Sequence, residues 1–269
     1  MSAAFLSYEP LIRLGAFAGI FAAMALWELL APRRHLEFGR GLRWPNNLGV
    51  VVVDTLVLRL VFPTAAVGLA LVAEAQGWGL FNAFAVPRWL AVVASVILLD
   101  LAIYLQHVLF HAVPALWRLH LAFDVSTGVR FHPIEILLSM LIKLTVVAAL
   151  GIPALGVLLF EVLLNATSMF NHGNVRMPER LDRALRWIVV TPDMHRVHHS
   201  ATPRETNSNF GFNLPWWDRL FGTYRAQPAA GHEAMIIGIE QFRDPGELRL
   251  DRMLLQQIDP IRPPFSAAC

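Results

Sequence analysis

Apolar residues are concentrated in four long stretches over the first two thirds of the chain, and each stretch predicts membrane-spanning helix. The stretches run from Leu11 to Leu30, from Leu48 to Ala73, from Trp89 to His111 and from Ile134 to Ser168. The last stretch is too long for one crossing at about 1.5 Å per residue. Because a Gly-Ile-Pro sequence at 151–153 interrupts it, we predict a helical hairpin at 134–168. One tilted helix is the alternative.

Basic residues predict the orientation of these helices. The sequence APRRH at 31–35 follows the first apolar stretch instead of preceding it, which is the reverse of a cleaved signal peptide. By the positive-inside rule, the end of this stretch lies in the cytoplasm. Residues 171–269 are polar enough to be cytoplasmic as well. Within them, 179–190 predicts an amphipathic helix, either at the membrane surface or packed on a soluble cap.

Composition agrees with an integral membrane protein. The chain is 56% hydrophobic and 16% charged, whereas soluble domains are about a quarter charged. We expect an all-α membrane protein with four to five passes, a cytoplasmic histidine-rich cap, and one membrane domain over 1–269 that ends in a cytoplasmic tail at 226–269. A bacterial inner membrane is the expected location, with lipid and membrane as partners and no nucleic acid. Cys269 is the only cysteine, which excludes an internal disulfide and a cysteine metal site.

Two polar stripes follow otherwise apolar helices at spacings of four, three and four residues. The first stripe comprises Asp100, Tyr104, His107 and His111, and the second comprises Glu161, Asn165, Ser168 and His172. Residues at these spacings share one face of a helix, and a polar face in a membrane must meet something polar. Buried histidines that are hydrogen-bonded to carbonyl groups are the simpler interpretation of either stripe alone.

A third group of histidines favours a metal site. His195, His198 and His199 stand at i, i+3 and i+4, so one helical turn can direct all three inward. His120 and His132 lie between the two stripes, so eight of the ten histidines flank two membrane entries on one predicted side. They share a site only if the chain returns across the membrane, which is why we prefer the hairpin. The other two histidines, at 35 and 232, have no partners in sequence.

The ligand types restrict the metal. Imidazole suits iron, zinc and copper, and eight histidines exceed the four ligands of a closed zinc site, so two metals are expected. The His-Glu-x-x-His sequence of a zinc protease is missing from the chain. A haem uses two axial histidines and does not explain three groups.

Seven short motifs resemble the sterol desaturase / fatty acid hydroxylase superfamily, in order, between about residues 95 and 225. They are HVLFH (107–111), PALWRLH (114–120), RFHPIE (130–135), NHGN (171–174), TPDMHRVHHS (191–200), NSNFGF (207–212) and WWDRLFGTY (216–224). The resemblance implies a membrane-bound di-iron oxygenase that hydroxylates or desaturates a lipid C–H bond. It also implies O₂ and a separate electron-transfer protein, with zinc as a metal acquired on purification. The last two motifs have no metal role derivable from the sequence.

The resemblance also implies the ligands. The family's first histidine box corresponds to His107 and His111, its last box to His195, His198 and His199, and the further histidine before the last box to His172. The middle box departs from the family pattern, because His120 is present but the histidine pair expected after it is missing. We therefore expect one strong metal position and a weak or empty second one, with Asp124 as a substitute oxygen ligand. A non-catalytic relative that binds lipid or a partner is the alternative function.

Five further residues are candidates for orienting the imidazoles through hydrogen bonds: Asp100, Tyr104, Asp124, Glu161 and Asn165. For Asp100 and Glu161 the alternative is ion pairing with Arg130 or Lys143.

Overall fold

Helices form the regular structure of the chain. The computed structural model describes residues 8–36, 38–113, 116, 123–238 and 244–256, and within these ranges the only other regular pairings are two isolated bridges, Pro32–Val175 and Ser200–Ile237. The helices are α1 (Glu9–Leu30), α2 (Arg40–Val61), α3 (Ala65–Gln76), α4 (Leu80–Ala83), α5 (Arg88–Ala112), α6 (Pro133–Leu150), α7 (Ala154–Asn171), α8 (Glu179–Leu185), α9 (Pro192–His198), α10 (Pro203–Thr206), α11 (Trp216–Leu220), α12 (Gly231–Ala234) and α13 (Leu250–Leu255), with 3₁₀ turns at Thr127–Val129 and Pro245–Leu248.

Within the described part of the chain, five helical stretches are long and apolar enough to cross a membrane: Glu9–Leu30, Arg40–Ala83, Arg88–Ala112, Pro133–Leu150 and Ala154–Asn171. The prediction of an all-α integral membrane protein with four to five passes is confirmed.

The second apolar stretch differs in detail from its prediction. Helix α2 begins eight residues earlier than Leu48 and ends at Val61, and α3 follows after a turn. The turn contains Pro63, which has no N–H to donate within a helix. Ala65 then adopts a left-handed φ of 50°, so the chain changes direction before α3. The proline therefore divides what composition alone presents as one span.

The predicted hairpin at 134–168 is confirmed as α6 and α7, and the single tilted helix is wrong. Gly151 ends α6 with a φ of 67°, a left-handed conformation that glycine adopts without a steric penalty. Pro153 immediately precedes α7. Gly79, with a φ of 87°, packs so closely on this turn that a Cβ on it would lie 2.0 Å from the Gly151 nitrogen. This contact joins the α3–α4 connection to the tip of the hairpin.

Short helices between 172 and 238, which we call the cap, fold over one end of the spanning helices. The amphipathic helix predicted at 179–190 ends at Leu185. Leu181, Trp187 and Ile188 are all exposed, which favours contact with the membrane surface over packing on a soluble cap. Beyond the cap, α13 packs on α2 and buries Met253.

Candidate metal centre

Six histidines form two adjacent groups of three at the capped end of the helices. His107, His111 and His198 make one group, which we call triad A; His172, His195 and His199 make the other, triad B. Within each triad, one nitrogen from every ring lies within 4.8 Å of the corresponding nitrogens of the other two. Five of the six side chains are buried and His111 is partly exposed.

Helix α9 supplies ligand candidates to both triads. The Thr191 hydroxyl accepts a hydrogen bond from the Met194 N–H, and Pro192 occupies the first turn, so this short helix has a defined start. His195 and His199, four residues apart, enter triad B, while His198 enters triad A. The rings of His195 and His198 are 5.1 Å apart between centroids, so the two triads are neighbours. The prediction that one helical turn directs all three rings inward agrees with this arrangement.

Triad A is completed by the last turns of α5. The His107 ring lies 4.5 Å from the His198 ring, and the His111 ring lies 4.6 Å from it, between centroids. Four-residue spacing on α5 places both rings on the face that meets α9.

Triad B is completed by the end of α7. His172 directly follows the last residue of this helix, and its Nε2 lies 3.2 Å from Nε2 of His195. Since α7 returns across the membrane after α6, the hairpin brings His172 to the same end as His107.

The motif NSNFGF (207–212) has a role that sequence reasoning missed. The Nδ1 of His107 donates to the Phe210 carbonyl at 2.8 Å, and the Nδ1 of His198 donates to the Ser208 carbonyl at 2.8 Å. An imidazole whose Nδ1 carries the proton presents the lone pair of its Nε2. This backbone segment therefore orients two rings of triad A toward a common point.

Triad B uses α7 for the same purpose. The Nδ1 of His172 lies 2.6 Å from the side-chain oxygen of Asn171 and 2.9 Å from the Ser168 carbonyl. Asn171 also donates to the Phe212 carbonyl at 3.0 Å, which links α7 to the NSNFGF segment. Ser168 was part of the predicted polar stripe, whereas Asn171 lies outside its spacing.

The motif WWDRLFGTY (216–224) holds the NSNFGF segment in place. Asp218 is fully buried, and its carboxylate accepts from the N–H groups of Phe210 at 2.8 Å and Gly211 at 2.9 Å. The Thr223 hydroxyl donates to the same carboxylate at 2.7 Å. Burial raises the pKa of Asp218, while these hydrogen bonds oppose the rise.

Asp100 and Tyr104, which we predicted to orient imidazoles, bind the cap instead. The Asp100 carboxylate accepts from the N–H groups of Asn213 and Leu214, each at 3.2 Å, and from the Trp217 indole at 2.8 Å. The Tyr104 hydroxyl is 2.9 Å from the Thr223 hydroxyl. Both residues therefore make their described polar contacts with the segment that supports triad A and with its neighbours, away from the rings.

Glu161, Asn165 and Asp124 lie in other networks. Glu161 forms ion pairs with Lys143 and Arg13, so the alternative of ion pairing with Lys143 describes it. The Asn165 amide donates to the Glu161 carbonyl at 3.0 Å, one turn back on α7. Asp124 pairs with Arg43 and caps the turn at Thr127–Val129, so the structure does not place it in either triad as an oxygen ligand.

The predicted ligand His132 is not brought to the triads. His132 precedes α6 as its N-cap: its Nδ1 accepts from the Ile134 N–H at 3.2 Å, and its Nε2 is 3.0 Å from the Leu254 carbonyl. Both ring nitrogens are therefore used in fixing α6 and α13. His120 lies outside the described residues.

Phenylalanine rings and a buried ion pair surround the triads. The Phe123 ring stacks on His172 at 5.8 Å and meets His199 edge-on at 5.1 Å, between centroids. The guanidinium carbon of Arg196 is 4.9 Å from the centre of the Phe123 ring, which itself lies against triad B. Burial lowers the pKa of Arg196 to about 10, and its ion pair with Asp193 opposes that effect.

The donor set fits transition metals that bind imidazole. Each triad offers three neutral nitrogen donors in a dry, partly aromatic environment, and such donors suit iron, zinc or copper. Three donors leave coordination positions for other ligands, which is typical of a reactive site and differs from a closed structural one. Two triads side by side can hold two ions.

The region that contains the triads is similar to known proteins. Residues 92–223 match the family model described as fatty acid hydroxylase. Ornithine lipid hydroxylase OlsE of Rhizobium tropici is 32% identical over 149 residues, which cover 53% of this chain and 44% of that protein. Alkylglycerol monooxygenase of Xenopus tropicalis is 50% identical over 40 residues, which cover 15% of this chain and 9% of that protein. The chain therefore spans less than half the length of these curated relatives, and no solved structure matches it.

Proposed function

The chain belongs to the fatty acid hydroxylase family, and from this premise we propose that it is a membrane-bound non-haem di-iron enzyme that hydroxylates a C–H bond of a lipid. The observation that carries the proposal is the pair of adjacent histidine triads sharing α9 at one end of an apolar helical bundle. The names of the two relatives, a lipid hydroxylase and a monooxygenase, support hydroxylation over desaturation.

His107, His111 and His198 would hold one iron, and His172, His195 and His199 the other. Bound iron supplies the activation of O₂: one oxygen atom enters the C–H bond and the other leaves as water, with two electrons and two protons from an external donor. These electrons must reach the iron from a donor, and we propose that a separate electron-transfer protein supplies them. Zinc is the metal expected to replace iron on purification.

The chain's own residues supply orientation and a dry site. Ser208 and Phe210 fix the tautomers of two rings in triad A, and Asn171 fixes that of His172 in triad B. Phe123 and Phe212 lie against the rings and exclude water from the space between the triads. A lipid tail that enters from the bilayer would place its C–H bond beside them.

Two measurements test the proposal. Iron per chain in the purified protein should approach two, and His198→Gln should lower it. Protein supplied with reductant, a redox partner and isotopically labelled O₂ should add labelled oxygen to a lipid in an added lipid pool, as read by mass spectrometry. A content near zero for every transition metal would refute the proposed metal-dependent hydroxylase activity.

The alternative is a non-catalytic relative, and it is favoured by the missing histidine pair after His120. Inserting two histidines there should raise metal content and activity if the natural site is short of ligands. An unchanged metal content after insertion would show that the two triads are sufficient.

We also propose that the histidine end faces the cytoplasm of a bacterial inner membrane. Arg33, Arg34, Arg40 and Arg43 lie at this end, and one relative is bacterial. With Cys269 replaced by alanine and a cysteine introduced at exposed Arg204 in the cap, an impermeant thiol reagent should label inverted vesicles and spare intact cells. Labelling of intact cells would indicate that the histidine end faces the outside of the membrane.

A further inference from the structure

A cavity of about 860 Å³ lies at the capped end of the helices, and its lining includes none of the six triad histidines. The connection between α1 and α2 forms one wall, and the segment that follows His172 forms the other. Five arginines line it, namely Arg33, Arg34, Arg40, Arg43 and Arg176, and among the described lining residues Glu233 is the only carboxylate. Its lining is therefore strongly cationic.

Backbone pairing holds the two walls together. The Arg33 N–H donates to the Asn174 carbonyl at 3.0 Å, and the Arg176 N–H donates to the Ala31 carbonyl at 2.8 Å. The Asn174 amide also donates to the Arg34 carbonyl at 2.8 Å. Because these bonds tie the end of α1 to the segment after α7, the cavity is part of the folded structure and lies where two spanning helices reach the membrane surface.

The arginines of the cavity are only partly neutralised. Arg34 donates to the carbonyl groups of His232 and Met235, which carry no net charge, and forms no ion pair within the described residues. Burial lowers the pKa of Arg34, and repulsion from Arg33 lowers it further. Arg40 donates to the Glu28 carbonyl, and its Nε has no hydrogen-bond partner in the described part of the chain.

Arg43 provides the most specific observation. Its side chain is 2% exposed, pairs with Asp124 through Nη1, and donates to the Phe38 carbonyl through Nε at 3.0 Å. Its Nη2 is buried without a hydrogen-bond partner among the described residues, although Arg43 lines the cavity. Surface arginines that only set membrane orientation remain solvated. A buried guanidinium N–H at a cavity wall needs an oxygen acceptor.

The N-terminus of α2 opens at the same place. This helix of 22 residues begins after Gly39, which contributes no side-chain cap. A Cβ on Gly39 or Gly41 would meet no atom within 4 Å, so the space in front of the helix is open. Unsatisfied N–H groups and the helix dipole favour an anion at such an end.

We propose that this cavity binds a phosphate group at the N-terminus of α2, between the arginines. Guanidinium groups match phosphate oxygens in geometry and charge, and several of them converge here. The phosphate comes either from a membrane-lipid headgroup or from free phosphate in solution. Its place at the membrane surface favours the lipid, and the proposal does not depend on the proposed hydroxylase activity.

Binding to purified full-length protein tests the proposal and separates the two sources. The probes are dioctanoyl phosphatidic acid, inorganic phosphate and phosphate-free dioctanoylglycerol, measured by calorimetry in detergent. A lipid headgroup site predicts saturable binding of the phosphatidic acid about tenfold or more tighter than inorganic phosphate, which competes with it. Equal affinity for both would identify free phosphate as the ligand.

Two arginine variants provide the structural control. Arg40→Gln and Arg34→Gln should each weaken binding by about tenfold or more, while Arg183→Gln, which removes an exposed charge from the same end of the molecule, should leave it unchanged. Metal content and the unfolding midpoint report whether each variant is folded. Equal binding of phosphate-free dioctanoylglycerol, unchanged binding in both folded variants, or no binding of either phosphate probe would overturn the proposal.

Discussion

Asp218→Asn tests whether the NSNFGF segment controls triad A. The carboxylate accepts three hydrogen bonds, from Phe210, Gly211 and Thr223, and the segment it holds presents the Ser208 and Phe210 carbonyls to the histidines. Asparagine has the same shape but only one acceptor oxygen. In its better orientation it keeps the bonds from Phe210 and Thr223 and turns an NH₂ group toward the Gly211 N–H, which lies 2.9 Å from the native oxygen.

The lost hydrogen bond to Gly211 determines how far stability and metal affinity should fall. A hydrogen bond to a charged group contributes about 1.5–3 kcal/mol, and a buried donor left without an acceptor costs about 1–3 kcal/mol. We therefore expect Asp218→Asn to lower the free energy of unfolding by about 3–5 kcal/mol. Loss of the groups that orient metal ligands lowers metal affinity by about 10–100-fold. Among the described contacts, the Ser208 and Phe210 carbonyls accept from rings of triad A, so the metal affinity of triad A should fall more than that of triad B.

The assay is iron retained per chain as chelator concentration is raised. The variant should lose about half of the iron at a chelator concentration that leaves the wild type loaded, and Asp251→Asn, the same substitution at an exposed site, should behave as wild type. Asn171→Ala should produce the complementary loss, because it orients His172 of triad B. Equal loss from both sites in Asp218→Asn, or unchanged iron in a clearly destabilised variant, would show that Asp218 does not control triad A.

Three further comparisons of variants probe other contacts. His132→Gln should keep the metal content of the wild type, whereas His198→Gln should reduce it, because only His198 belongs to a triad; the metal content of each variant decides this. Gly79→Ala should lower the unfolding midpoint far more than Gly77→Ala, since both have positive φ but only at Gly79 does a Cβ meet the α6–α7 turn; equal shifts would contradict the packing. Burial lowers the pKa of His232 to about 4. The stability that neutral His232 contributes above its ordinary pKa of 6.5 is therefore lost as the pH falls toward about 4. His232→Gln should reduce this loss when the unfolding of chelator-treated protein is measured against pH. If the stability of wild type and of His232→Gln falls with pH in parallel, His232 is not the source of the loss.

Hydropathy and turn residues were sufficient to predict most of the fold. Length and composition marked the spanning stretches, and the break at 151–153 predicted the α6–α7 hairpin, because these signals are local to the chain. The division of the second stretch near Pro63 carried a local signal as well, namely the proline itself. Boundaries moved by a few residues, as at Arg40 and Leu185, where packing and loop geometry decide the end of a helix.

The metal ligands and the groups that orient them differ in how they are encoded. Six of the eight predicted histidines meet because helical spacing places His107 with His111, and His195 with His199, on common faces. The same rule marked Asp100 as a polar residue facing the site, and it does face a polar partner, but that partner is the backbone of Asn213 and Leu214. Periodicity predicts that a residue faces inward and contains no information on which residue it meets.

The supporting contacts could not be predicted for a related reason. The acceptors for His107 and His198 are backbone carbonyl groups, which every residue has, so the identities of Ser208 and Phe210 carry no mark of their role. The informative residues are those that bend the chain at 208–211. Asn209 takes a left-handed φ of 50°, its side-chain amide donates to the carbonyls of Met194 and Arg225, and Asp218 holds the next two N–H groups. Through its bond to the Met194 carbonyl, the Asn209 side chain ties the segment to α9 and helps to align the Ser208 and Phe210 carbonyls with the rings that they orient. Asn209 and Asp218 thus shape the backbone that orients the ligands without touching the proposed metal positions. They lie in NSNFGF and WWDRLFGTY, the two motifs for which the sequence alone showed no metal role.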